Sequence, residues 1–169
     1  KNIINLANSF GLGYEQEFKE FPSLAIGSYG DNLLNITNAY SAINNNGKIQ
    51  SPSILEKIES FNNQSIWENK SISKKILDLK VNKKINKLLE KSVKEGTSKA
   101  AFIKGKKIYG KTGTSDGNKD LWFIGSIDNL TTGIWIGYDD NKESELSSGN
   151  AAYLWKKFIA KIYQIQIKK

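Results

Sequence analysis

Between Lys106 and Tyr138 the chain offers three strand-like runs separated by short polar breaks, and this constrains the fold more than any other feature. The pattern predicts strands over 106–114, 120–127 and 131–138. Trp122, Phe123, Ile124, Ile134, Trp135 and Ile136 leave the last two with little polar–apolar alternation. Strands of that kind are expected to be covered on both faces. Asp128-Asn129 suits a turn between them.

Helical periodicity surrounds this region. Residues 2–12 set Ile3, Ile4, Ala7 and Phe10 at helical spacing before Gly11 and Gly13 stop the run. Residues 20–30 read as a loop. A second helix is predicted over 31–46, capped by Asp31 or Asn32, with Leu34, Ala39, Ala42 and Ile43 as its apolar stripe. Asn45-Asn46-Gly47 closes it, the glycine suiting a left-handed cap. Residues 52–59 and 64–68 suggest a hairpin, whereas 71–80 are polar and ambiguous. The clearest helix covers 81–95, with Val81, Ile85, Leu88, Leu89 and Val93 on one face and lysines on the other. A last helix is expected over about 150–165, with Ala151, Leu154, Trp155, Phe158 and Ile162 inward. The order implies an α+β fold, an antiparallel sheet flanked by helices.

With 169 residues, 38% of them hydrophobic, the chain is one domain or a large piece of one. All 25 basic residues are lysine, giving a net charge of +8. Abundant lysine, asparagine and isoleucine fit an adenine- and thymine-rich coding sequence. Without arginine, whose planar fork matches guanine and phosphate, no specific nucleic-acid partner is expected. The lack of cysteine rules out disulfides and cysteine metal sites, and the lack of histidine rules out a Ser-His triad within this chain. No stretch approaches the roughly twenty apolar residues that a membrane span needs. Because the chain lacks methionine, Lys1 is expected to lie downstream of the native start.

The row Lys111-Thr112-Gly113-Thr114 ends the first of the three strands. Side chains alternate along a strand, so Lys111 shares a face with Gly113, and Thr112 with Thr114. At a cleft edge such a strand can accept an extended peptide as an added strand, and Gly113 leaves room for its approach. The threonine hydroxyls can bind a carboxylate. Lys111 supplies positive charge that stabilises a deprotonated hydroxyl. The Thr114 N–H can meet a developing oxyanion, a contact worth about 3–4 kcal/mol in a known protease. Taken alone, the tripeptide reads first as an ordinary solvated hairpin.

The wider context resembles one family. Gly110 to Gly125 is similar to the third active-site motif of penicillin-binding protein transpeptidase domains and the strand after it. "EFPSLAIGSYGDNLLNITNAYSAINNNGKIQSPSIL" (Glu20–Leu55) resembles the family's Pro-Ser-Leu-Ala segment and the helix that follows. "LLEKSVKEGTSKAA" (Leu88–Ala101) resembles the helix and Gly-Thr turn before the motif. "GIWIGYDDN" (Gly133–Asn141) and "SSGNAAYLWKKFI" (Ser147–Ile159) resemble the last strand and closing helix of class A bifunctional enzymes, where Gly-Gly is commoner than Gly149-Asn150. The likeness covers nearly the whole chain, with its segments in family order. It implies a β-lactamase/transpeptidase-like fold, present as an incomplete domain over 1–169.

The resemblance also implies a chemistry. A serine attacks the D-Ala-D-Ala end of a peptidoglycan stem peptide, D-alanine leaves, and the acyl group passes to an amine on a neighbouring strand. β-Lactams acylate the same serine. Lys111 and Thr114 would then be catalytic, and Thr112, Gly113 and Thr114 would bind substrate. No cofactor or metal is implied. The setting implied is extracytoplasmic, with a membrane anchor and a glycosyltransferase domain outside this chain.

Of the family's three motifs, only the third is convincing here. Ser71-Ile72-Ser73-Lys74 has the Ser-x-x-Lys pattern, but it lies in a polar, lysine-rich stretch too close to Lys111. Ser60-Phe61-Asn62 and Ser148-Gly149-Asn150 match Ser-x-Asn out of order. The nucleophile is therefore expected upstream of Lys1, and the chain alone is expected to be inert. Asp116 to Asp120 opens like a calcium loop, but Leu121 stands where glycine is needed and Ile127 where glutamate is needed; Asp120 is expected to orient the turn. Trp122, Phe123 and Trp135 are expected to pack in the core. The alternatives are a D,D-carboxypeptidase or β-lactamase-like hydrolase, a non-catalytic sensor or scaffold, and a weak, sequence-blind nucleic-acid binder.

Overall fold

The computed structural model describes residues 2–13 and 21–165. Helix α1 spans Asn2–Ser9 and α2 spans Leu33–Asn44. Four short strands follow: β1 Lys48–Ile49, β2 Lys57–Glu59, β3 Ser65–Glu68 and β4 Lys74–Lys75. Then come α3 Leu79–Glu95, strands β5 Ile108–Thr114, β6 Asp120–Ile127 and β7 Leu130–Gly137, and α4 Ser148–Ile162.

The predicted meander is the centre of the fold. β5, β6 and β7 pair antiparallel in that order, with Thr112 opposite Phe123 and Trp122 opposite Trp135. Phe123, Ile127 and Ile108 face a core closed by Ala151, Trp155 and Ile159 of α4, Val93 of α3, and Ala101 and Ile103. Gly110 and Gly125 lie opposite each other on that face because no side chain would fit. A Cβ on Gly110 would stand 2.5 Å from the Phe123 ring, and one on Gly125 would meet both Phe123 and Trp155. Phe123 and Trp155 meet edge to face, centroids 5.2 Å apart, the favoured aromatic arrangement. Helix α2 covers the other face, where Leu33 and Thr37 come against Gly133 and Ile124.

Residues 20–30 read as a loop, and the described part holds a 3-10 turn, Pro22–Ile26; residue 20 lies outside the described residues. The cap of α2 is Asn32, whose side chain accepts from the Asn35 N–H at 2.8 Å. Gly47 takes the left-handed conformation (φ 78°), and a Cβ there would strike the Leu77 carbonyl. The 52–68 hairpin forms, with its first strand confined to 57–59. Within 71–80, β4 pairs with β1, two strands too short to leave a periodic signal.

Several inward faces differ from the sequence reading. On α3 the deeply buried residues are Asn82 and Val93, while Val81 and Leu88 are exposed. Ile85 and Leu89 are half-buried on the same side as Val93, as predicted, but Asn82 joins that face while Val81 and Leu88 turn outward. On α4 the inward residues are Ala151, Ala152, Trp155, Ile159 and Ala160; Leu154, Phe158 and Ile162 are about half exposed. The small alanines let α4 approach the sheet closely around Trp155 and Ile159, so Leu154, Phe158 and Ile162 lie on the flank. Only β6 is covered on both faces. β7 is half covered, and no described strand pairs with its outer edge. Of the three aromatics expected in the core, Phe123 is fully buried, Trp122 is half-buried, and Trp135 is 38% exposed. Trp135 stands on the partly covered face of β7, where its indole bonds to Asp120.

Candidate active site

The Lys-Thr-Gly-Thr row occupies the end of β5, on the sheet edge away from β6. Helix α3 ends at Gly96, and the chain turns through Thr97 and Ser98 against this edge. The buried Ser98 hydroxyl accepts from the Thr112 N–H at 3.1 Å and bonds to Ser92 Oγ at 2.8 Å. Thr112 Oγ1 donates to Thr97 Oγ1 at 2.9 Å. Lys111 Nζ donates to the Thr112 carbonyl at 2.9 Å and reaches Thr97 Oγ1 at 3.4 Å.

These bonds fix the direction of the strand's polar groups. The N–H and C=O of Thr112 both point outward, one to Ser98 and the other to Lys111. Backbone groups of one residue in a β-strand share a side, and the side repeats every second residue. The N–H and C=O of Thr114 therefore also face the open edge, beyond the reach of Thr97 and Ser98. Thr114 is exposed and Gly113 half-buried. Gly113 lies over Trp122, whose Cβ would be 3.3 Å from a Cβ there.

Thr112 departs from the sequence reading. It is 7% exposed and its hydroxyl is spent on Thr97, so it does not stand beside Thr114 as a second free hydroxyl. Thr97 and Ser98 are the partners that residue-by-residue reading missed; the Gly-Thr turn at Gly96-Thr97 was their only signal.

The loop after Thr114 is held by Asp120. Ser115 Oγ donates to Asp120 Oδ2 at 2.9 Å and accepts from the Asp120 N–H at 2.8 Å. Trp135 Nε1 donates to the other carboxylate oxygen at 2.9 Å. Gly117 (φ 69°) and Asn118 (φ 52°) make the reversal between them.

Ser71 is elsewhere. With Asn129, Leu130 and Thr131 it lines a polar cavity of about 740 Å³ at the β6–β7 turn. That turn lies at the opposite end of the β5–β6 ladder from Thr114, six residue steps away, or about 20 Å. Ser71 begins no helix: it sits in extended chain before β4, with Gln50 bonded to its hydroxyl. Ser60 and Asn62 occupy the exposed β2–β3 hairpin tip, and Ser148 opens α4. None of these serines is at the Lys111 edge.

The family model for the penicillin binding protein transpeptidase domain matches residues 9–158. The chain belongs to the penicillin-binding protein transpeptidase family. Among curated relatives, penicillin-binding protein 1A of Rickettsia prowazekii is 32% identical over 164 residues, covering 83% of this chain and 21% of the relative. Penicillin-binding protein 4 of Bacillus subtilis is 31% identical over 117 residues, covering 68% of this chain and 19% of the relative. The chain thus spans about a fifth of their length. Among solved structures, penicillin-binding protein 1A from Haemophilus influenzae superposes with a TM-score of 0.78 at 18% identity, over 96% of this chain and 30% of that one. Penicillin-binding protein A of M. tuberculosis, solved as an imipenem acyl-enzyme complex, gives 0.71 at 19% identity, over 92% of this chain and 41% of that one. These likenesses establish the α+β, β-lactamase-like fold for a transpeptidase-family domain.

Proposed function

We propose that this chain supplies the substrate-binding edge of a serine-type peptidoglycan D,D-transpeptidase, whose nucleophile comes from protein outside the described residues. The observation that carries this reading is the outward-facing backbone of Thr114, on the same strand edge as the Thr112 carbonyl that holds the Lys111 ammonium. A stem peptide pairs with the open edge of β5 as an added strand. The serine oxygen attacks the penultimate D-alanine carbonyl, and the Thr114 N–H stabilises the oxyanion. The C–N bond breaks, terminal D-alanine leaves with a proton, and an acyl-enzyme remains. An amine from a neighbouring strand attacks the ester and releases the serine. Lys111 stabilises the deprotonated hydroxyl, while the Thr114 hydroxyl holds the substrate carboxylate. A β-lactam enters the same path and stops at the acyl-enzyme. The setting proposed is extracytoplasmic, with anchor and glycosyltransferase domain elsewhere in the protein. Among the described residues, no helix is long and apolar enough to cross a membrane.

The test is acylation of the full-length protein by a fluorescent penicillin. Lys111→Ala is expected to slow labelling at least about a hundredfold, as loss of a charge-stabilising group at a reacting centre does. Labelling of Lys111→Ala at the wild-type rate would overturn the assignment.

A further inference from the structure

Helix α3, which ends beside the site, carries a charge pattern that neither sheet packing nor acyl transfer uses. It holds six lysines: Lys80, Lys83, Lys84, Lys87, Lys91 and Lys94. All are exposed. At about 100° per residue they fall within an arc of roughly 100° and run about 21 Å along the axis. The arc lies opposite the side that buries Asn82 and Val93. A solvated helix face ordinarily mixes signs, with acidic residues one turn from basic ones. Here Lys80, Lys83, Lys84 and Lys87 neighbour one another at three- and four-residue spacing, which is repulsive. Two of the six have acidic partners: Lys94 bonds to Glu90 at 2.8 Å and Lys91 approaches Glu95 at 3.9 Å. The other four have no ion pair among the described residues. Beyond Gly96 the chain reaches Thr97, the contact of Lys111 and Thr112. The stripe therefore leads into the wall of the candidate site.

We propose that the outer face of α3 is a docking track for a flexible phosphodiester-bearing polymer laid along the helix. Lysines whose Cβ atoms repeat at about 5–6 Å present a row of positive charges that suits a chain carrying single negative charges at regular spacing. Lysines act as point charges and read no base edge. The stripe is narrow and linear, the shape of a strand and not of a lipid plane. Its occupancy would hold an anionic polymer of the envelope beside the site without entering the chemistry, so this inference stands apart from the acyl-transfer reading.

The test uses the full-length protein and a fluorescent glycerol-phosphodiester oligomer. Wild-type affinity is expected to fall about a hundredfold between 50 and 200 mM salt, as counterion release from about four contacts requires. Lys80→Gln/Lys83→Gln/Lys84→Gln/Lys87→Gln is expected to weaken binding about tenfold or more at low salt. A control with equal charge loss elsewhere, Lys70→Gln/Lys74→Gln/Lys157→Gln/Lys161→Gln, is expected to bind within about twofold of wild type. Melting temperatures establish that both variants are folded. Equal weakening in the two variants would reduce the effect to net charge and overturn the proposal. So would wild-type binding that ignores salt. Binding to vesicles of equal parts phosphatidylglycerol and phosphatidylcholine, without binding to the oligomer, would overturn it in favour of a lipid surface.

Discussion

The Asp120 carboxylate accepts a hydrogen bond from the Trp135 indole at 2.9 Å, tying the loop after the Lys-Thr-Gly row to the outermost strand of the sheet. The other carboxylate oxygen takes the Ser115 hydroxyl, so one side chain fixes both the start of the loop and its return. Thr114 is the residue just before that clamp. Asp120→Ala is expected to destabilise the domain by about 1.5–2 kcal/mol, the lower part of the range for hydrogen bonds to a charged group, because Trp135 is partly exposed. Penicillin acylation should slow more than the fall in melting temperature explains. Trp135→Phe breaks one bond and leaves Ser115 clamped, so it should lose stability with little change in acylation rate. Equal effects of the two substitutions on acylation would show that the loop is not held this way.

Three glycines make a graded series. A methyl on Gly110 or Gly125 meets aromatic rings already packed in the core. Gly110→Ala and Gly125→Ala should each cost about 1–3 kcal/mol from overpacking, visible as a lowered melting temperature. At Gly113 the nearest atom is 3.3 Å away, on the cleft-side strand end. Gly113→Ala should therefore fold nearly as wild type yet label slowly, because the methyl intrudes where a peptide or lactam must approach.

Thr112 and Thr114 separate position from contact. Thr112→Val removes the bond to Thr97 in a nearly closed space and is expected to cost about 1 kcal/mol of stability, with a modest effect on acylation. Thr114→Val removes an exposed hydroxyl, so stability should hold while the KM for a carboxylate-bearing substrate rises. Melts and acylation kinetics on the two variants check this, and the reverse pattern would return the ligand role to Thr112.

The meander, the hairpin, the helix order and the Lys-Thr-Gly row were legible because each writes a local signal: apolar runs, turn residues, capping asparagine and glycine. What stayed hidden depends on tertiary contact. The inward face of α4 is set by alanines fitting close to β6, so reading large residues as buried misplaced Leu154, Phe158 and Ile162. Trp135 lies in an apolar strand but at the uncovered edge of the sheet, which no periodicity reveals. Strand alternation put Thr112 and Thr114 on one face correctly. That Thr97 covers the first and not the second comes from a loop fifteen residues earlier in the chain.

Glu90 couples the lysine-rich helix to pH. The Lys94 hydrogen bond, reinforced by the charges of Lys94 and Lys107, holds its carboxyl below the usual glutamate range. A carboxyl lowered on folding adds stability above its unfolded value and loses it as pH falls through the folded one. The loss therefore lies on the acid side of the ordinary glutamate range, and neutral pH is unaffected. Melts of wild type and Lys94→Ala should differ at neutral pH and converge as the solution is acidified through that window. A difference that persists or widens in acid would assign the Lys94 contribution to something other than the Glu90 carboxylate.

The serine at Ser71 provides the sharpest test of how the reaction is divided along the protein. It satisfies the Ser-x-x-Lys pattern, yet the nucleophile must lie within bonding distance of a carbonyl whose oxygen meets the Thr114 N–H. Ser71 instead lines the cavity at the β6–β7 turn, across the length of the sheet from Thr114. No side-chain rotation closes a gap of about 20 Å. Ser71→Ala in the full-length protein is therefore expected to label with fluorescent penicillin at the wild-type rate. The isolated 169-residue chain is expected to form no penicillin adduct by intact mass, since Ser98, the serine at the Lys111 edge, is fully buried with its hydroxyl bonded to the Thr112 N–H and to Ser92. A stoichiometric adduct mapped to Ser71 would mean that the segment from Gln50 to Lys75 packs against the other end of the sheet, and the nucleophile would belong to this chain after all.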